Sequence, residues 1–219
     1  MTPEMMALPG LARLLETCRK HGVSVDTSPP ANSLPVTGAL VAGHPFDPIL
    51  AAVYRHFSRM RIAGENGEFE LHRFDEQVDG LSLVARDRRQ GTREPFYSAV
   101  AFGSIPDLEY YFATVPELAD ERGRQPVIYI NAYPERTVLP VASNVDRFFD
   151  TLSRYLELLQ QDTGYRFDGI RDTQFPEGVP ELITQDEALV RLLRSGRMDF
   201  ILNPHDEFQE WMARVKLGR

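Results

Sequence analysis

Apolar residues recur at helical spacing near both ends of the chain and alternate with polar residues in its middle. The first stripe predicts a helix over residues 8–21, and Gly22 stands where a left-handed cap commonly ends a helix. A second stripe follows Asp47 and Pro48, a capping side chain before a proline at the first helical position. It predicts a helix over residues 48–61.

The period changes to two in the middle of the chain, where aromatic and β-branched residues are frequent. Five segments are predicted as strands: Phe69–Phe74, Leu81–Arg86, Phe96–Phe102, Tyr110–Val115 and Val127–Ala132. Thr137–Ala142 is a candidate sixth strand, and Pro140 would confine it to a sheet edge because proline donates no ladder hydrogen bond. No helical pattern separates these segments, so we expect a mostly antiparallel sheet of five to six strands.

Helical patterns return after the strands. Ser143 and Asp146 resemble a capping box and precede an apolar stripe with helical period. Thr184 and Glu187 form a second such box, and Asn203 begins a last predicted helix. The order is N-terminal helices, a central sheet and C-terminal helices, which predicts an α+β fold.

Two segments rich in proline and glycine, residues 26–43 and residues 161–183, predict irregular connections. The second of them separates the central part of the chain from its last helices. We therefore predict an α+β domain over residues 1–160 and a C-terminal helical extension over residues 161–219 that packs on its core.

The composition is that of a globular protein, with 42% apolar and 26% charged residues among 219. Cys18 is the single cysteine, which excludes an internal disulfide and a multi-cysteine zinc site. The longest uncharged stretch, residues 27–46, carries prolines and hydroxyl residues that argue against a membrane span. No basic segment followed by an apolar run opens the chain. We expect a soluble cytoplasmic protein without membrane contact.

The charge is negative and unevenly distributed. The formal net charge is −8, of which −6 falls on residues 61–160. An acidic surface repels phosphate backbones, so we expect no direct binding to nucleic acid. The same field steers a basic protein partner toward the chain. Solubility alone is the alternative explanation of this excess.

The motifs of common catalytic and phosphate sites are missing. The sequence contains no Gly-x-Ser-x-Gly elbow and no glycine-rich phosphate loop. Ser104 follows a glycine, as in many ordinary turns. Cys18 and His21 lie three residues apart on one face of the first predicted helix, where a thiolate–imidazole pair could form. The apolar stripe around Cys18 favours core packing instead.

One group of residues could hold a metal ion. Glu70 and His72 alternate onto one strand face, with Glu68 and Asp75 close in sequence. Carboxylate and imidazole groups are metal ligands, so this group defines the alternative of a metal-dependent enzyme of unknown reaction. A solvated strand face explains the same residues without a metal.

The segment from residue 101 to residue 159 carries a family resemblance. It contains "FGSIPDLEYYFATV" and then "RQPVIYINAYPERTVLPVASNVDRFFDTLSRYLELL". A Phe-Gly turn, a strand, a Pro-Val-rich strand, a short loop and an amphipathic helix in this order resemble the SUKH superfamily. Upstream, the predicted helix and the Asn66-Gly67 turn resemble that family's helix before its first strand. The resemblance covers about residues 40–160.

What the resemblance implies is a binding module without cofactor, bound metal or catalytic residue. Such proteins are often immunity proteins that neutralise a cognate bacterial toxin, frequently a nuclease. We therefore expect a non-enzymatic partner of a basic toxin. The predicted partner-facing residues form an acidic cluster: Glu65, Glu68, Glu70, Asp75, Glu76 and Asp79. A solvated hairpin edge is the alternative reading of this cluster.

A general interaction scaffold or regulator is a further alternative. It would use the C-terminal unit Thr184–Leu217, where Phe208, Trp211 and Met212 would anchor a partner if they were exposed. Large apolar residues at helical spacing more often pack in the core.

Overall fold

The computed structural model describes residues 6–30, 39–41, 43–64, 68–73, 99–106, 108, 110–131, 137–161, 174–199, 201 and 206–218. In its first half the elements are α1 (Pro9–His21), β1 (Ser24–Ser28), β2 (Leu40–Val41), β3 (His44–Pro45), α2 (Pro48–Tyr54), β4 (Arg59–Ala63) and β5 (Phe69–Leu71). In its second half they are β6 (Val100–Ile105), β7 (Tyr110–Thr114), a 3-10 turn (Pro116–Leu118), β8 (Val127–Asn131), β9 (Thr137–Ala142), α3 (Val145–Gln161), α4 (Pro180–Ile183), α5 (Glu187–Arg194) and α6 (Asp206–Leu217).

Seven strands form one sheet in the order β1-β4-β5-β6-β7-β8-β9, and every neighbouring pair is antiparallel. A separate hairpin of β2 and β3 turns at Gly43, whose φ is +87°. The α+β class and the antiparallel sheet are confirmed. The number of strands is higher than the five to six predicted from the sequence.

The register separates an apolar from a more polar face. Met60, Leu71, Gly103, Phe112 and Tyr129 are successive cross-strand partners, so their side chains share one face. The next row of partners lies on the opposite face and begins with charged and hydroxyl residues. That row contains Asp26, Arg61, Glu70, Ser104, Tyr111, Ile130 and Val138.

The core lies between the apolar face and α3. The ring of Phe148 on α3 packs against Phe69, Phe102 and Phe112, with centroids 4.8–5.6 Å apart. Phe175, from the segment before α4, contacts the Phe112 ring at 5.8 Å. Aromatic rings at these separations bury a large apolar area and add edge-to-face attraction.

Helices α1 and α3 approach each other closely. A Cβ atom on Gly10 would stand 2.0 Å from the backbone oxygen of Asp146, so only glycine fits there. The Asp146 carboxylate accepts hydrogen bonds from the backbone N–H groups of Gly10 and Leu11 at 3.0–3.1 Å. A carboxylate is favourable at the start of a helix, where N–H groups lack partners.

The prediction for the first helix is confirmed, with Gly22 as its left-handed cap at φ +68°. The second predicted helix, residues 48–61, was wrong in its second half, because α2 ends at Tyr54 and residues 59–63 form β4. Met60 and Ile62 are fully buried while Arg59 and Arg61 are half-buried, which is a period of two. Met60 fits both the apolar stripe of a helix and the alternation of a strand. The pairing of β4 with β1 and β5 determines that this segment is a strand.

The other strand predictions have mixed outcomes. The predicted strands that begin at Tyr110 and Val127 are confirmed within one residue as β7 and β8. β9 is the last strand of the sheet in the described chain, as Pro140 required. The predicted strand at Leu81–Arg86 lies outside the described residues. The irregular connection predicted over 26–43 was wrong in part, because β1 includes Asp26 to Ser28.

Both predicted capping boxes were assigned to the wrong residue. The side chain of Asn144, not that of Ser143, accepts the N–H of Arg147 at 3.0 Å and caps α3. Asp186, not Thr184, accepts the N–H of Leu189 at 3.1 Å and caps α5. In each case the helix begins one or two residues later than the box predicts, so a residue inside the predicted box occupies the N-cap position.

Candidate functional site

Two members of the predicted acidic cluster fall within the described residues, Glu68 and Glu70. The remaining four (Glu65, Asp75, Glu76 and Asp79) lie outside them. Glu68 is exposed just before β5. Glu70 is half-buried on the polar face. Its Oε1 accepts a hydrogen bond from Nε of Arg59 at 2.8 Å and forms an ion pair with Nη2 of the same guanidinium, also at 2.8 Å. Part of the negative charge of Glu70 is therefore balanced within the chain.

The structure brings His72 and Ser104 together on the same polar face. Nε2 of His72 lies 3.0 Å from Oγ of Ser104, across β5 and β6. The backbone of His72 is fixed on both sides, since its N–H donates to Phe102 and its oxygen accepts from the Tyr54 hydroxyl, each at 2.8 Å. A serine–imidazole contact is one part of a nucleophilic site, which also needs donors for an oxyanion. The alternative interpretation is that this cross-strand pair only stabilises the sheet and has no catalytic role.

The proposed metal ligands do not converge in the described part of the chain. Glu70 binds Arg59, and His72 contacts Ser104. Asp75 lies outside the described residues. Among the residues that are described, no group of three or more potential ligands could hold a metal ion.

Cys18 and His21 do not form a reactive pair. The Cys18 side chain is fully buried in the core. Burial raises the pKa of its thiol to about 11, so the nucleophilic thiolate is scarce at neutral pH. Core packing, the alternative given by the sequence, accounts for Cys18.

A cleft of about 490 Å³ lies between the segment 116–126 and the starts of α3 and α5. We call the segment 116–126 the first wall, and the strand end at Ser143 with the residues before α5 the second wall. Apolar side chains such as Leu118 and Leu192 line part of it. Its charged lining residues are Asp120, Arg124, Arg147, Asp186, Glu187 and Arg197. Sequence reasoning did not identify this cleft, because its walls are far apart along the chain.

The second wall is held by Asp186, which is 2% exposed. One carboxylate oxygen caps α5, and the other accepts the backbone N–H of Ser143 at 2.7 Å. The guanidinium of Arg147 lies 4.0 Å from the same carboxylate. A buried carboxylate thus joins α5 to the end of β9 with a cation nearby.

The first wall is held in the same manner by Asp47, which is 1% exposed. Its Oδ1 caps α2 through the N–H of Leu50 at 2.8 Å, and its Oδ2 accepts the N–H of Gln125 at 2.7 Å. The side-chain amide of Gln125 donates to the oxygen of Pro45 at 2.8 Å. We call this arrangement the Asp47 clasp. The capping signal at Asp47 was visible in the sequence, but its partner 78 positions away was not.

A network of arginines supports the second wall. Asp150 on α3 accepts from Arg13, Arg147 and Arg154 at 2.9–3.2 Å. Arg147 and Arg154 also donate to the backbone and side chain of Gln185. The network links α1, α3 and the residue before the α5 cap. It fixes the position of Arg147 at the rim of the cleft.

The anchors of the scaffold alternative are largely withdrawn from solvent. Trp211 is 5% exposed, and Phe208 and Met212 are partly buried against the core.

Among the described residues, no helix has both the length and the apolar character needed to cross a membrane. No known family model matches the chain, and no curated protein sequence is significantly similar to it.

Proposed function

We propose that this chain is a non-enzymatic binding protein that neutralises a cognate bacterial toxin through an acidic surface, as immunity proteins of the SUKH superfamily do. The observation that carries the proposal is the concentration of negative charge in residues 61–160, where the net charge is −6. The order of segments between residues 101 and 159 and the α+β fold with an antiparallel sheet are compatible with it.

The physical basis is electrostatic complementarity. A nuclease toxin binds a polyanion, so it carries a basic substrate cleft. An acidic face covers such a cleft, accelerates encounter and blocks substrate. Attraction of this kind weakens as salt screens the charges over about 8 Å at physiological ionic strength.

The residues proposed to face the partner are those of the acidic cluster. Because Glu70 is paired with Arg59, we expect it to contribute less than its exposed neighbour Glu68. The proposal therefore concerns mainly Glu68 and the four cluster residues outside the described ranges.

The test reverses charges in the full chain. The variant Glu68→Lys, Asp75→Lys, Glu76→Lys is compared with a matched control, Glu16→Lys, Glu187→Lys, Glu210→Lys, whose three positions are exposed on helices elsewhere. Both variants change the net charge by the same amount. We expect only the first to lose affinity for a nuclease toxin that the wild-type chain binds and to lose the salt dependence of binding. Equal loss in both variants would mean that net charge, not this cluster, determines binding. Unchanged binding by the first variant would exclude the cluster as the interface.

A further inference from the structure

The two buried aspartates that hold the cleft differ in their electrostatic surroundings. Asp186 has the guanidinium of Arg147 at 4.0 Å. Asp47 accepts backbone N–H bonds from Leu50 and Gln125, and the charge of the acid Asp120 acts on it to favour the protonated form. A buried carboxylate without a nearby cation is a site of proton uptake, because burial disfavours the charged form.

Gln125, whose backbone N–H bonds to Asp47, has a second polar group that is buried. Its Oε1 is buried and has no hydrogen-bond donor in the described part of the chain, although its N–H and its side-chain amide nitrogen are both bonded. A protonated carboxyl group has one donor to give, whereas the ionised group has none. Gln125 therefore adds an unsatisfied buried acceptor to the clasp, and ionised Asp47 adds acceptors without a donor.

We propose that Asp47 and Gln125 form a proton-dependent clasp on the first wall of the cleft, which is held firmly when Asp47 carries a proton and loosened when Asp47 is ionised. The inference concerns regulation of the cleft and does not depend on the proposed function. The direction follows from linkage: a proton favours the conformation in which Asp47 is buried. In agreement, burial raises the pKa of Asp47 to about 6, against the opposing effect of its backbone hydrogen bonds.

Other titratable groups around the clasp must be separated from Asp47. Helix α2 carries no charged residue. Nδ1 of His44 on β3 lies 4.0 Å from Oε1 of Glu117 on the first wall, so a variant at His44 is needed to separate this contact from Asp47. The carboxylate of Asp120 accepts a hydrogen bond from Nε of Arg124 at 2.7 Å, so its partner lies within the first wall itself. The wall's remaining charged residues, Glu121 and Arg122, are exposed.

The test follows the backbone amide of Gln125 by hydrogen exchange in the isotopically labelled full chain at pH 5.0 and pH 7.5, corrected for the intrinsic exchange rate. We expect protection about tenfold lower at pH 7.5, because the open form has the ordinary Asp pKa. The carboxyl carbon of Asp47 should titrate near pH 6. Equal protection at both pH values, higher protection at pH 7.5, or titration near pH 4 would each overturn the proposal.

Three variants assign the effect. Asp47→Asn should abolish the difference between the two pH values at Gln125. Asp186→Asn, the matched change at the buried aspartate of the second wall, should leave that difference intact. His44→Gln should also leave it intact, and its loss there would assign the effect to His44 and contradict the proposal. If Asp47→Asn fails to fold, the titration of Asp47 in the wild type and the His44→Gln result still decide.

Discussion

The contact between Gly10 and Asp146 makes a prediction in which two physical effects oppose each other. Replacing a helical glycine by alanine normally stabilises a helix by about 1 kcal/mol, because alanine has the higher helix propensity. At Gly10 the new Cβ would stand 2.0 Å from the Asp146 oxygen and 2.9 Å from its carbonyl carbon. Both atoms belong to backbone, so no rotamer change relieves the overlap.

We expect the steric effect to win. Separating α1 from α3 to restore van der Waals distance costs about 1–3 kcal/mol, as overpacking does elsewhere. It also stretches the hydrogen bonds from the Gly10 and Leu11 N–H groups to the Asp146 carboxylate, and bonds to charged groups contribute about 1.5–3 kcal/mol each. After the gain in propensity, Gly10→Ala should lower the free energy of unfolding by roughly 2–4 kcal/mol.

Urea unfolding followed by circular dichroism measures this difference. The control is Ala12→Gly, the reverse change at an exposed position of the same helix, which should destabilise by about 1 kcal/mol through propensity alone. A Gly10→Ala variant as stable as the wild type, or more stable, would show that α1 and α3 do not approach as closely as the structure has them.

Three other predictions rest on buried polar and thiol groups. Asp186→Ala removes the cap of α5 and leaves the N–H of Ser143 without its acceptor, so we expect the free energy of unfolding, measured with a chemical denaturant, to fall by about 2–4 kcal/mol. A decrease below about 0.5 kcal/mol would contradict the role of Asp186 in holding the second wall. Burial raises the pKa of Glu177, and the charge of Glu207 adds to the effect. The wild type should therefore lose stability relative to Glu177→Gln as the pH rises above the ordinary pKa of a glutamate side chain. A stability difference that does not change with pH would refute this. Cys18 should react with a thiol reagent only after unfolding, because its side chain is fully buried and its thiol is protonated. Rapid modification of the native protein would contradict the packing of α1 against the core.

The sequence predicted elements well where the spacing of apolar residues fitted either a helix or a strand, but not both. The stripe of α1 and the aromatic strands β7 and β8 appear where expected, because local pattern and tertiary burial agree there. Residues 55–63 show the opposite case. Their apolar residues fit both a helix and a strand, and the pairing of β4 with β1 and β5 resolves the choice. Such pairing depends on distant residues that no local window contains.

Capping and clasp residues show what sequence spacing leaves open. The sequence marks Asp47 as a helix cap, but a carboxylate has a second oxygen, and only the fold brings Gln125 to it. Asp146 was assigned to its own helix and instead binds the start of α1. The acidic cluster was defined by charge and by the family resemblance, and the pairing of Glu70 with Arg59 depends on the register of β4 and β5.

The central claim is that this chain acts by binding a basic toxin and transforms no substrate. The most direct measurement is a calorimetric titration of the full chain with purified nuclease toxin domains from genes that adjoin its own, together with each toxin's activity in the same mixtures. We expect a stoichiometric complex whose affinity falls with rising salt and in which toxin activity is lost at equivalence. Full toxin activity in the presence of excess chain, with no heat of binding, would contradict the account.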